Sequence, residues 1–468
     1  VIDDPTVRTE TTRSRLAGLL DDLGLLADRA LDRHLRLAVT GLRRSGKTVF
    51  TTSLVHHLLD SRGLPFLRAV HEGRYLGARL LPVRDGHPFP YEAYHAALAA
   101  DPPTWPAPTE QLSRLRLAIR FRTTNRLLEA VQPIQELVVE IVDYPGEWLL
   151  DLPLLEGTFE SFAEEAFELA RTSPRAELAA TWVELARSVD QTGPADPVAI
   201  DALVRAYRAY LLDCQERLQL GYLVPGRFLH PGELEGHPAL RFAPLPPAPV
   251  RPGSLRAAVL EAFERYREEV VRRFWEEHLR GFDRQIVLVD LLGALNLGPA
   301  HFADMQRALE RIASAFRYGR GGLLARLFAP RIDRLLFAAS KADHVAPSQH
   351  AALKQLLEIL VAPAGRAARF EGLVPEFLAI AALRSTDVVR TEHDGQILSC
   401  VRGRLAEDGR ETVLFPGEIP PELPEPEDWT SGRFRFRAFA PRRLRPGVPG
   451  QHIRLDQALE FLLGDKLR

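Results

Sequence analysis

The run Leu35–Phe50, reading LRLAVTGLRRSGKTVF, constrains this chain more than any other stretch. Leu35, Leu37 and Val39 recur at strand spacing, and the residues after Thr48 read as a helix through Leu59. Between them lie Gly41, Leu42, Arg43, Arg44, Ser45, Gly46, Lys47 and Thr48, followed by Val49. This is the G-x-x-x-x-G-K-T spacing of a phosphate loop, in the strand–loop–helix context the motif requires. Gly41 and Gly46 permit backbone angles that turn successive N–H groups inward around an anion, and the helix adds its positive end. Lys47 suits the β- and γ-phosphates as a compact charge, and Thr48 offers a hydroxyl to Mg²⁺. The bland alternative is a glycine-rich turn that happens to carry a lysine. Composition argues against it: of 60 basic residues only Lys47, Lys341, Lys354 and Lys466 are lysine, leaving 56 arginines. A chain that otherwise uses Arg keeps Lys where a wide planar fork does not fit.

At 468 residues the chain has room for two or three domains around a large core. A net charge of −2 gives no electrostatic case for nucleic acid. Two distant cysteines, Cys214 and Cys400, suit a reducing compartment and neither a disulfide framework nor a zinc cluster. No apolar run reaches the roughly 20 residues of a membrane span and no secretory signal is legible, so the expectation is a cytoplasmic protein.

In chain order, residues 8–33 read as an Arg-rich amphipathic helix with Leu16, Leu19, Leu20, Leu23 and Leu26 on one side. Asp21, Asp22 and Asp28 dilute its charge, which favours packing over membrane binding. Pro65–Val70 reads as a short strand and 84–109 as an irregular, proline-rich connection. Its position after the phosphate loop is where nucleotide switches carry a mobile loop. Thr109, just before the next strand, is its candidate Mg²⁺ and γ-phosphate sensor, against the plain reading of an exposed loop threonine.

Leu115, Leu117, Ile119 and Phe121 alternate with arginines, a half-exposed pattern suited to an edge strand. The apolar run 137–142 then ends in Asp143-Tyr144-Pro145-Gly146-Glu147. A carboxylate at the carboxyl end of a buried strand sits where α/β sheets place ligand chemistry. Asp143 can hold a water on Mg²⁺ while the Gly146 N–H approaches the γ-phosphate. Asp290-Leu291-Leu292-Gly293 matches the same short pattern; Asp143 is preferred for its surroundings, and Asp290 either lines the site or ends a core strand.

Four stretches, 158–172, 175–190, 197–218 and 254–280, have helical period, and 225–252 is a proline-rich loop. They read as a helical insertion, either a packing cap or a lid that follows nucleotide state. The α/β alternation then resumes through 285–290, 301–316 and 334–339 to Ser340-Lys341-Ala342-Asp343, followed by a helix at 349–361 and a strand at 376–380. Asp343 can accept both the ring N–H and the amine of guanine, whereas adenine would leave it unpaired. Lys341 can lie along the base, and the Ala382 N–H can meet the guanine oxygen. Alone, the tetrapeptide is also just a polar turn after a strand.

GLRRSGKTVF at 41–50, WPAPT at 105–109, VDYPGEWLLDLPLL at 142–155, VLVDLLGALNLGP at 287–299, SKADHV at 340–345 and HIRLDQALEFLLGDKL at 452–467 together resemble the YcjX-like bacterial P-loop GTPases. That family is a stress-response group with a Ras-like core related to that of G-protein α subunits. The resemblance runs from residue 41 to the carboxyl end. It implies GTP and GDP binding, Mg²⁺, slow hydrolysis, a cytoplasmic protein and cooperation with a separate inner-membrane partner. Ser340 departs from the general GTPase pattern, which has Asn there, and a shorter side chain predicts modest nucleotide affinity. Ras-like enzymes orient the attacking water with Gln after D-x-x-G, where this chain has Glu147. A Glu beside phosphate needs a compensating cation, which makes Glu147 a candidate water-positioning group and Arg43 or Arg44 an internal arginine finger. The alternative leaves the arginines as loop supports and Glu147 in solvent.

The expected architecture is an α/β P-loop NTPase with a Ras-like, mostly parallel sheet flanked by helices. It divides into a helical lead (1–34), a first core part (35–150), a helical insertion (151–280), a second core part (281–395) and a carboxyl-terminal extension (396–468). Within the extension, Glu407-Asp408-Gly409 marks a hairpin, 416–431 an acidic proline-rich loop, and 433–439 an alternation of Arg and Phe suited to strand packing or to docking anionic lipid or a partner. Leu455–Leu463 reads as a packed helix. Two other functions remain open at this point: a nucleotide-gated scaffold with negligible turnover, and an ATPase.

Overall fold

The computed structural model describes residues 33–107, 111–315, 332–370, 375–393 and 395–468. The helix read over 8–33 lies outside them apart from Arg33, and Thr109 also lies outside them.

The strand predicted before the phosphate loop, β1 (His34–Gly41), is central in a seven-stranded sheet. Its neighbours in sequence order are β2 (Tyr75–Leu81), β3 (Ser113–Arg122), β4 (Ile134–Asp143), β5 (Arg284–Val289), β6 (Arg334–Ala339) and β7 (Glu376–Ala379). Spatially the order is β2-β3-β4-β1-β5-β6-β7. Pairing is parallel from β4 through β7, and antiparallel between β2, β3 and β4. This is the mostly parallel α/β sheet expected of a P-loop protein.

Strand alternation divides the core between the two faces. Leu35, Leu37 and Val39 of β1, with Ile286 and Leu288 of β5, meet Phe50, Leu54 and Leu58 of the helix Lys47–Leu59 and the terminal helix Leu455–Leu463. Ala38, Val142, Val287 and Val289 face the other way, into a larger core that includes the insertion. Both faces of the parallel strands are therefore covered, which is why β5 is buried at every position.

Three expectations need correction. Pro65–Val70 is a turn leading into the short helix Arg68–His71, and the strand of this region is β2 at Tyr75–Leu81. Gly73, with φ 67, turns the chain between the two. The 84–109 connection is not irregular throughout, since Tyr91–Ala99 is helical. The strand with alternating arginines is not an edge: β2 covers β3, and the alternation reflects a sheet face with partial solvent access.

The insertion forms helices Phe159–Ala170, Ala176–Ser188, Pro197–Glu216 and Leu255–Arg265, close to the periodicity reading. Aromatic rings of Phe162, Trp182, Tyr207, Phe242 and Phe263, mostly edge to face, fill its centre. A second, antiparallel sheet joins β8 (Thr386–His393), β9 (Gln396–Arg404) and β10 (Glu411–Leu414), with the expected hairpin between the last two. The Arg/Phe alternation is not a full strand. It touches neighbours through single bridges at Phe434 and Phe439, with Phe434, Phe436 and Phe439 buried and Arg435 and Arg437 exposed.

Candidate nucleotide site

At the carboxyl end of β1 the chain turns through residues 41–47 before the helix begins at Lys47. Gly46 has φ 89, a conformation costly for a residue with a β-carbon, and its carbonyl accepts from Phe50 N at 2.8 Å. Gly41 is needed for closeness: an added β-carbon would stand 2.4 Å from the Leu288 carbonyl oxygen. Lys47 is buried, and its Nζ donates to the Gly41 carbonyl at 2.7 Å, across the mouth of the loop.

Arg43 and Arg44 line the cavity above this loop, yet their guanidinium groups are held by the insertion. Arg43 donates to Gln215 Oε1, and Arg44 to Gln219 Oε1. Gln215 sits on the helix Pro197–Glu216, and its Oε1 also lies 2.8 Å from His230 Nε2. Arg44 has φ 64, a rare backbone state for a side chain this large, and its glutamine contact helps to fix it.

The turn after β4 presses on the loop from behind. A β-carbon at Gly146 would lie 2.6 Å from Gly41 C and 2.7 Å from its oxygen. Glu147 is buried, and its Oε1 accepts from Arg43 N at 3.0 Å. Asp151 anchors the continuation: Oδ1 accepts from Gly226 N at 2.6 Å, and Oδ2 from Arg227 N at 3.1 Å and the Tyr266 hydroxyl at 2.6 Å. Burial pushes its carboxyl above the usual carboxylate range, opposed by those three donors. Asp143 closes β4 in register with Val39 of β1 and is 1% exposed. It lies behind the cavity wall, as do Gly41 and Gly146.

At the far end, Ser340 N and Oγ both bond the Val289 carbonyl, at 2.9 and 3.2 Å, fixing the turn after β6. Lys341 adopts φ 60 and pairs with Asp290, whose other oxygen caps the helix Leu291–Leu297 through Gly293 N at 3.0 Å. Asp290 thus ends its strand, caps the following helix and pairs with Lys341, without lining the cavity described below. Asp343 Oδ2 accepts from Ser385 N at 2.7 Å and Ser385 Oγ at 2.6 Å. His344 follows, its Nε2 3.2 Å from Ser385 Oγ, and burial lowers its pKa below the ordinary histidine value.

One cavity of about 560 Å³ joins these ends. Arg43, Arg44, Ser45, Gly46, Lys47, Thr48 and Val49 wall one side, Ser340, Lys341, Asp343 and Ala382 the other, and Glu147 contributes between them. Its size suits a nucleotide-sized ligand. Thr48, on the first helical turn, and Asp143, at the end of the strand beside β1, are hard oxygen donors of the kind Mg²⁺ takes alongside phosphate oxygens.

Several cavity residues escaped the sequence reading as individuals: Trp105, His230, Ser385, Ala438 and Phe439. Only Trp105 had a local signal, a tryptophan among prolines in a polar loop. His230 enters from the insertion, Ser385 from the turn between β7 and β8, and Ala438 and Phe439 from the carboxyl-terminal extension, and no spacing rule connects them to residue 47.

A family model described as YcjX-like family, DUF463, matches residues 35–467. A relative from Escherichia coli (strain K12), called Ras-like GTPase YcjX, is 43% identical over 464 residues, covering 96% of this chain and 99% of the relative. A Shewanella oneidensis protein of the same name is 39% identical over 472 residues, covering 94% of this chain and 96% of the other. With the match spanning the phosphate loop, the turn after β4 and the Ser340–Asp343 turn alike, the chain belongs to the YcjX-like family.

Proposed function

We propose that this chain binds GTP and hydrolyses it slowly with Mg²⁺, acting as a nucleotide-controlled switch. The observation that carries the reading is the single cavity with Lys47 and Thr48 at one end and Asp343 at the other. Ser385 occupies the two acceptor positions of Asp343 Oδ2 and holds the carboxylate still, so Oδ1 is the oxygen left to test the base. Guanine supplies donors to that oxygen; adenine leaves it without one.

Thr48 and Asp143 would hold Mg²⁺, directly and through water, and the ion neutralises phosphate charge when bound. Lys47 exchanges its Gly41 carbonyl for phosphate oxygens, and the loop amides orient the chain of phosphates. Glu147 is the water-positioning candidate and Arg43 or Arg44 the charge-stabilising one. Each is engaged elsewhere: Glu147 with the Arg43 amide, the guanidinium groups with Gln215 and Gln219. Freeing these contacts before chemistry is the physical reason to expect slow turnover. The same contacts favour the second reading, a GTP-gated scaffold with negligible hydrolysis.

The proposal places the protein in the cytoplasm, in a bacterial stress response, next to a partner at the inner membrane. No helix among the described residues is long and apolar enough to cross a membrane.

Phosphate release and competition binding test the reading together. We expect slow Mg²⁺-dependent release from GTP, weak competition by ATP, and loss of about a hundredfold in guanine preference in Asp343→Asn. Tight GTP binding without release selects the scaffold. Equal competition by ATP, with Asp343→Asn unchanged, selects an ATPase and ends the proposal.

A further inference from the structure

The base end of the cavity is built from three separate pieces of chain. Trp105 and Pro106 come from the loop after the helix Tyr91–Ala99, Ala382 and Leu383 from the turn after β7, and Ala438 and Phe439 from the carboxyl-terminal extension. Trp105 is 40% exposed, an unusual position for the largest side chain, yet its indole is not loose. Its Nε1 donates to the Phe439 carbonyl at 3.0 Å, and Phe439 itself is buried.

From Phe439 the chain runs on as a strap that touches both walls. Leu444 N donates to the Leu98 carbonyl at 2.9 Å, and Arg443 Nε to the Ala99 carbonyl at 2.8 Å, gripping the end of the Tyr91–Ala99 helix. The strap then crosses to the opposite wall. Arg384 N donates to the Gln451 carbonyl at 2.7 Å, while Ala381 and Ile453 exchange backbone bonds at 3.1 and 2.8 Å. Leu98, Leu383 and Leu444 pack together between these points, with Val49 of the phosphate-loop helix against them. A backbone clasp with a small apolar rivet thus joins the Trp105 loop, the Ala381–Leu383 turn and the phosphate-loop helix.

We propose that the Trp105 indole forms a face of the purine site and that the strap 439–453, by tying Trp105 to the Ala381–Leu383 wall, sets how fast guanine nucleotide leaves. This rests on the guanine-nucleotide reading above. A flat ring fixed by one hydrogen bond at the rim of a base pocket offers stacking area with little ordering cost, because the bond and the flanking prolines hold it in place. Trp105 acts on any purine, so it controls dwell time, while Asp343 controls which purine is held.

The test follows release of N-methylanthraniloyl-GDP from the full chain after addition of excess unlabelled GDP. Trp105→Ala should release about tenfold faster or more, with the GTP-over-ATP ratio unchanged. Trp105→Phe keeps a ring and loses the N–H donor, so its release should fall within about threefold of the parent. It should also lose part of the emission that parent tryptophans pass to the label. Arg443→Ala, outside the cavity, should speed release by about threefold without changing base preference. Thermal unfolding of each variant checks that the fold persists. Release from Trp105→Ala within about twofold of the parent, or equal acceleration in Trp105→Ala and Trp105→Phe, overturns the proposal. A parent that binds no labelled GDP would instead fail the guanine-nucleotide reading itself, and this proposal with it.

Discussion

The turns after β4 and β5 carry the same four-residue pattern, Asp143 to Gly146 and Asp290 to Gly293, and both strands flank β1. The structure gives them different work. After β4, Gly146 abuts the backbone of Gly41, Glu147 receives the Arg43 amide, and Asp151 clamps the insertion through Gly226, Arg227 and Tyr266. That turn is wedged between the phosphate loop and the insertion. After β5, the aspartate caps its own helix and reaches sideways to Lys341 in the turn after β6. A short motif therefore acquires its role from what its glycine touches. Gly146 would meet another segment's backbone, whereas a β-carbon on Gly293 would meet Asp290 Oδ2 of its own turn, at 2.6 Å.

The largest expected contrast is in the carboxylates. If Asp143 holds the metal's water as proposed, Asp143→Asn should lower Mg²⁺-dependent phosphate release by about a hundredfold. Asp290→Asn keeps a good helix cap and loses only the ion pair with the partly exposed Lys341, so nucleotide affinity should change by about threefold or less. Comparable losses in both, measured with the same phosphate-release assay, would dissolve the distinction between the turns.

The glycines give a smaller contrast. In Gly146→Ala the added carbon faces backbone that cannot swing aside, and GDP affinity should fall by about tenfold. In Gly293→Ala the neighbour is a carboxylate that can rotate at the cost of its cap, so stability should drop by about 1 kcal/mol with affinity nearly kept. Titration calorimetry with GDP, paired with thermal melts, reads both quantities.

What was legible from residue types follows from how local the physics is. The phosphate loop, the buried strands and the insertion helices are each set by spacing within one segment, and the structure has them close to where the sequence placed them. Pro65–Val70 reads as a strand because short apolar stretches are ambiguous between strand and turn, and the nearby β2 interrupts its apolar residues with Gly77 and Arg79 and is fully buried at no position. The arginine-striped β3 looked like an edge because partial burial of one face resembles an unpaired side, and only the sheet order resolves it. Gln215, Gln219, Ser385 and Phe439 reach the site by tertiary packing alone. The side chains of the first three and the Phe439 carbonyl complete contacts begun by Arg43, Arg44, Asp343 and Trp105, and nothing in a linear pattern announces such pairings.

A crystal structure of the full chain with GDP and Mg²⁺ tests the central claim most directly. The account predicts the terminal phosphate inside the turn 41–48 beside Lys47, and the guanine edge within hydrogen-bond distance of Asp343. Nucleotide bound elsewhere, or a base lying away from Asp343 with its phosphates outside that turn, would contradict it.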